Sequence, residues 1–190
     1  MFVRVTSPPM VFPLKAPGSR KTAGFVGGRA PAVDSKQMLQ KLEEIDRAHG
    51  TVSQVFDASS IAGQRHLAHA ARLAIAARDS GHGFADSLRM DLACWVAGER
   101  RIGEALKKVG LRPDGRELAF LVIGDSTPQV RAALADIFKL GIKRDDKLLE
   151  LSPKKEEKLM QRFSISQKES GMASTGDLVL ERVALLSLEC

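Results

Sequence analysis

Leu118-Ala-Phe-Leu-Val-Ile123 is an unbroken apolar run of six residues, and its reading decides the fold. A buried helix needs roughly ten residues or more, whereas six suit a strand covered on both faces. The flanks agree. Pro113-Asp-Gly115 supplies turn chemistry upstream. Downstream, Ser126 is a good helix cap, Pro128 suits a first turn and Gln129 follows Ser126 by three positions. A helix is expected from Ser126 to Leu140, bearing Val130, Leu134 and Phe138 inward.

A strand apolar on both faces needs helices to cover it, and the rest of the chain supplies them. Asp34 can cap a helix whose stripe is Met38, Leu39, Leu42 and Ile45, ending near Gly50. Val52 to Phe56 reads as a second strand, turned by Asp57-Ala-Ser-Ser60 into an Ala-rich helix from about Ile61 to Arg78. Phe84, Leu88, Leu92, Trp95 and Val96 share a face of the next helix, which Gly98 closes; Ile102, Leu106 and Val109 mark another. Ser152-Pro153 opens a charged helix to about Phe163, and Ser166 with Glu169 forms a capping-box pattern. Leu178 to Leu186 closes the chain as a helix too apolar to be solvated all round. The pattern predicts an α+β fold: a small central, mostly antiparallel sheet, several packed helices and a helix-rich C-terminal half.

The first 33 residues differ. They hold Arg4, Lys15, Arg20, Lys21 and Arg29, no acid, and five of the eight prolines. Proline fixes φ and removes a donor, so Ser7 to Gly18 is expected to be extended or disordered, with Phe2 to Thr6 able to form a short strand. The expected organisation is a flexible basic Pro/Gly-rich extension over 1–22 and one domain over 23–190.

A net charge of +6 and a sequence pI near 9.5 favour polyanionic partners. No apolar run approaches the ~18 residues that span a bilayer, and no secretory h-region follows the first residues. Cys94 and Cys190 are far apart and make neither a disulfide framework nor a metal site. These features predict a cytoplasmic protein with no membrane partner and no cofactor.

Enzymatic motifs are scarce. Gly24-Phe-Val-Gly-Gly-Arg29 has neither the Lys-Ser/Thr of a P-loop nor the dinucleotide spacing. His66 and His69 stand three apart on one helix without a Cys or Glu ligand at a recognised spacing, so a metal enzyme is a third reading only. Asp57, Ser59 and Ser60 are explained by helix capping more simply than by a nucleophile with its acid. The basic residues are better organised. Arg100, Arg101, Lys107 and Lys108 are expected opposite Ile102, Leu106 and Val109, and Arg65, Arg72, Arg78 and Arg89 can extend that surface. Such groups attract phosphates, and a solvated face with Glu104 pairing to Lys108 is the competing reading.

Four ordered segments carry a resemblance. They are Val55-Phe-Asp-Ala-Ser-Ser-Ile-Ala-Gly-Gln-Arg-His-Leu67, Ser87-Leu-Arg-Met-Asp-Leu-Ala-Cys-Trp-Val-Ala-Gly-Glu-Arg-Arg-Ile102, Glu104-Ala-Leu-Lys-Lys-Val-Gly110 and Leu180-Glu-Arg-Val-Ala-Leu-Leu186. From about Ala23 onward the chain resembles the small subunit of the KEOPS complex, the protein-kinase-binding protein of that complex. It departs from the family pattern in residues 1–22, which precede the usual start, and in Arg101, where the archaeal pattern more often has Gln. The resemblance implies a non-catalytic accessory subunit supporting threonylcarbamoyladenosine modification of tRNA. It further implies binding of the 3′ CCA tail of tRNA and docking on the N-lobe of a kinase-like ATPase subunit. The residues expected at tRNA are Arg65, Arg72, Arg89, Arg100, Arg101, Lys107 and Lys108. Those expected at the docking face are Leu178, Val179, Val183 and Leu186, with packing inside the chain as the competing reading. The alternative function is a protein-interaction regulator of a kinase-like ATPase without direct RNA binding.

Overall fold

The computed structural model describes residues 9–16, 19–31, 34–113 and 115–189. Its frame is a sheet of β1 (Met10–Ala16), β2 (Ser19–Arg29), β3 (Val52–Asp57) and β4 (Glu117–Gly124). The spatial order is β1-β2-β4-β3, every pairing is antiparallel, and the short β5 (Lys143–Arg144) adds to β2 through Gly28↔Arg144. Eight helices complete the described residues: α1 (Ser35–His49), α2 (Gln64–Asp79), α3 (Leu88–Ala97), α4 (Ile102–Val109), α5 (Thr127–Lys139), α6 (Pro153–Arg162), α7 (Gln167–Ser170) and α8 (Thr175–Leu185). The expected α+β class is the one observed.

The apolar run 118–123 is the central strand β4, and its side chains divide strictly by parity. Leu118, Phe120 and Val122 enter a core with α1 and α5, while Ala119, Leu121 and Ile123 enter a second core with α2, α3 and α8. Both faces are therefore dry, which is why no polar residue alternates along it. Asp34 caps α1 by accepting from the Lys36 and Gln37 amides, and Gly50 ends it at φ 65°, where a side chain would be strained. Ser126 stands at the start of α5 but makes no side-chain cap bond; its hydroxyl instead donates to Gln129 Oε1 at 3.0 Å.

The N-terminal expectation needs correction. Residues 10–16 and 19–22, assigned to a flexible extension, are strand, and the boundary expected at residue 23 falls inside β2. The prolines concealed this. An edge strand has one row of amides unpaired, so Pro13 costs little there. Apolar residues then anchor the strand: Leu14 is buried and the Phe12 ring meets Phe25 edge-on at 5.1 Å. The Phe2 to Thr6 strand lies outside the described residues. The glycines of Gly24-Phe-Val-Gly-Gly-Arg29 serve close approach: a Cβ on Gly24 would sit 2.6 Å from Val130 Cγ1, and one on Gly27 only 2.4 Å from the Asp145 carbonyl oxygen.

Two further details differ from expectation. Phe84 precedes α3 rather than lying on it, although its ring packs 5.4 Å from that of Trp95. In α4 the inward positions are Ala105 and Val109, and Leu106 is 41% exposed. The carboxylate of the buried Asp91 explains the Phe84 geometry: it accepts from the Phe84 and Ala85 amides and from Arg78 at 2.6 Å, fixing the loop before α3.

Candidate functional site

The seven cations expected at RNA fall into three groups. Arg72, Arg100 and Arg101 are exposed, and none has an ion pair among the described residues; Arg72 donates to His69 Nδ1 at 3.2 Å. Arg65 and Lys107 are also exposed, at 79% and 75%, but each meets a carboxylate: Asp177 at 3.2 Å and Glu104 at 2.9 Å. Arg89 and Lys108 are built into the fold. Arg89 bonds Asp46 at 2.7 Å across the α1–α3 junction. Lys108 bonds Glu99 at 3.2 Å, not the expected Glu104, and lies 4.3 Å over the Phe163 ring. Burial pushes the Lys108 pKa down, against the pull of Glu99. Helical spacing placed all of these outward, because periodicity cannot see a neighbouring helix that folds over a charged position. Arg78 is likewise committed, to Asp91.

Arg65 and Arg72 lie seven apart on α2 and so share a face. Arg65 stands at the mouth of a cavity of about 420 Å³ whose apolar wall includes Ala62, Leu149, Leu151 and Leu180. The cavity lies where α2 and α8 begin, beside Gly63, which gives α2 no side-chain cap, and Ser174. The uncapped start of α2 and the positive end of its dipole favour an anion there, while Asp146 and Glu150 on the same wall oppose one.

Leu178, Val179, Val183 and Leu186, expected at a docking face, are all buried, which corrects that assignment. Leu178 and Val179 pack with Leu159, Phe163 and Ile165, while Val183 and Leu186 join the large core beneath the sheet. Intramolecular packing won because α6 and α2 bracket α8. The apolar side chains left to solvent near this end are Leu185, 46% exposed, and Leu188, 80% exposed. The stripe rule missed them because they fall off the buried face.

His66 offers no lone pair to a metal. Its Nδ1 accepts from the Ala62 amide at 3.1 Å and its Nε2 donates to the Val96 carbonyl at 2.8 Å, tying α2 to the end of α3. Burial holds its pKa down to about 4. His69 is also lowered, first by burial and then by Arg72. Cys94 is buried and its thiol is pushed up to about 11, chiefly by that burial, so it is inert at neutral pH; Cys190 lies outside the described residues. Asp57 is the expected cap, accepting from the Ser59 amide and hydroxyl, both at 2.9 Å. It also gathers Arg112 at 3.0 Å and Arg162 at 3.2 Å, two partners distant in sequence and so invisible to local pattern. No described helix is long and apolar enough to cross a membrane.

The family model of the kinase binding protein CGI-121 matches residues 33–187. The match begins after β1 and β2, about ten residues later than Ala23. No curated protein matches the sequence. With that model covering most of its length, this chain belongs to the CGI-121 family of kinase-binding proteins.

Proposed function

We propose that this protein is a non-catalytic, cytoplasmic accessory subunit of the KEOPS complex. It binds the 3′ CCA tail of tRNA, docks on the kinase-like ATPase subunit, and supports threonylcarbamoyladenosine modification carried out by other subunits. Membership of a kinase-binding family supports the docking half. The observation that carries the RNA half is the cavity beside Arg65. Its apolar wall can bury a nucleobase while Arg65, with Arg72 on the same face, takes the neighbouring phosphates. Leu185 and Leu188 supply an apolar surface for the ATPase.

The test compares tRNA with and without its CCA end, titrated into the purified protein. Removal of CCA is expected to weaken binding at least about tenfold, the scale of ~1.4 kcal/mol. Equal binding of both RNAs overturns the reading.

One observation favours a second reading, a regulator of the ATPase that does not touch RNA: Arg65, Arg89, Lys107 and Lys108 are all engaged by carboxylates. Under it, the ATPase co-purifies with the protein and no tRNA binds at low salt.

A further inference from the structure

Beyond the surface beside Arg65 lies a second cavity, of about 380 Å³, walled by the 3₁₀ turn Ala58–Ser60, the 3₁₀ turn Asp146–Leu149 and the first turns of α6. Four lysines line it: Lys147, Lys154, Lys155 and Lys158. Two carboxylates, Glu117 and Glu150, oppose them. Glu117 is already engaged by Arg29 at 2.5 Å, which leaves the lysines in excess. Lys147, Lys154 and Lys158 are exposed and make no ion pair among the described residues. None of the seven cations expected at RNA lines this cavity.

We propose that this cavity is an anion site that takes a phosphate group. Its lining includes Lys155, only 8% exposed, whose ammonium donates to the Leu148 carbonyl at 2.7 Å and the Glu150 carbonyl at 3.3 Å. An ammonium has three N–H donors, so one remains after these two bonds. Burial pushes the Lys155 pKa down to about 8, against the pull of Asp57 and Glu117. Ser59, whose hydroxyl donates to Asp57, and Ser152 are on the wall, and Ser152, at the start of α6, makes no side-chain cap bond. Four like charges around one small cavity repel one another, and a multiply charged anion relieves all those terms together; a singly charged carboxylate relieves less. The flexible rim lysines suit a phosphate, which lysine holds as a point charge. The phosphate can come from an RNA backbone or from a free phosphorylated compound.

The probe is inorganic pyrophosphate, titrated into the full chain by calorimetry, with the Lys155 ammonium followed by NMR. Wild type is expected to bind, with the Lys155 pKa raised by at least about half a unit as the anion offsets its desolvation. The double substitution Lys154→Glu with Lys158→Glu is expected to weaken pyrophosphate at least about tenfold, with an unchanged melting temperature because both side chains are exposed. Lys154→Gln with Lys158→Gln, which removes charge without reversing it, gives the same direction if the first variant fails to fold. No pyrophosphate binding to wild type, or equal binding to wild type and a folded variant, overturns the proposal. A single-stranded RNA ending in CCA separates the sources. If the variant's salt dependence for RNA flattens by roughly two units of slope, the backbone is the source. If pyrophosphate binding is lost while RNA binding is intact, the source is a free phosphorylated compound. The pyrophosphate arm does not depend on CCA preference, so this proposal and the tRNA reading can fail separately.

Discussion

Arg89 Nη2 lies 2.7 Å from Asp46 Oδ2, so a cation expected to face RNA instead joins α3 to the end of α1. Asp46 is 8% exposed and also accepts from the Thr51 hydroxyl at 2.8 Å, the Ser53 amide at 2.8 Å and the Ser53 hydroxyl at 2.6 Å. Removing the guanidinium leaves a buried carboxylate short of its charged partner. Arg89→Ala is expected to lose on the order of 2 kcal/mol in urea unfolding, as for hydrogen bonds to charged groups. Arg72→Ala, on an exposed side chain, is expected to stay within about 0.5 kcal/mol. Equal losses in the two variants would refute the distinction.

His66 gives the fold a pH dependence whose direction is fixed. Its folded pKa, about 4, lies below the unfolded value of 6.5, so the unfolded state binds the extra proton between them. The contribution is complete above about pH 6.5 and is lost as pH falls toward 4. Between pH 7 and pH 5 the loss attributable to His66 is about 2 kcal/mol by linkage. The measurement is the difference in that pH slope between wild type and His66→Gln, and parallel slopes would contradict it.

Buried and exposed residues of α8 and the 3₁₀ turn Leu186–Glu189 after it should separate stability from partner binding. Val183 is fully buried, and Val183→Asp places a carboxylate in the main core, with an expected loss above about 3 kcal/mol. Leu185→Glu with Leu188→Glu changes side chains already in solvent and is expected to leave stability within about 0.5 kcal/mol. The double variant should still bind the kinase-like ATPase more weakly in co-purification. Full ATPase binding by the double variant would remove Leu185 and Leu188 from the interface.

Gly27→Ala tests why that position is glycine. The added Cβ would stand 2.4 Å from a backbone oxygen of Asp145, and the β5 segment must shift to make room. A loss of about 2 to 3 kcal/mol is expected, at the upper end of overpacking costs. Gly24→Ala meets side-chain methyl groups of Val130 at 2.6 Å and Leu134 at 2.8 Å rather than backbone, and should cost less. The order of the two melting temperatures checks it.

What the sequence determined by itself is local. Six consecutive apolar residues made β4 legible, because only a strand covered on both faces tolerates them. Asp34, Gly50 and Gly98 marked helix ends through bonds to residues a few positions away, and those ends stand as read. The Ser166 to Glu169 capping box is likewise present. Tertiary structure decided everything that depends on a distant neighbour. It placed β1 in the sheet because β2 supplied a partner strand and Phe25 a packing surface, which proline content cannot report. It turned Val179 and Val183 inward and left Leu185 outward, since the neighbouring helices determine which part of an apolar helix is covered. It also committed Arg89 and Lys108 to carboxylates across element junctions while gathering four lysines around one cavity. Charge is encoded residue by residue, but whether it meets solvent, a counter-charge or a cavity is set by contacts between segments far apart in the chain.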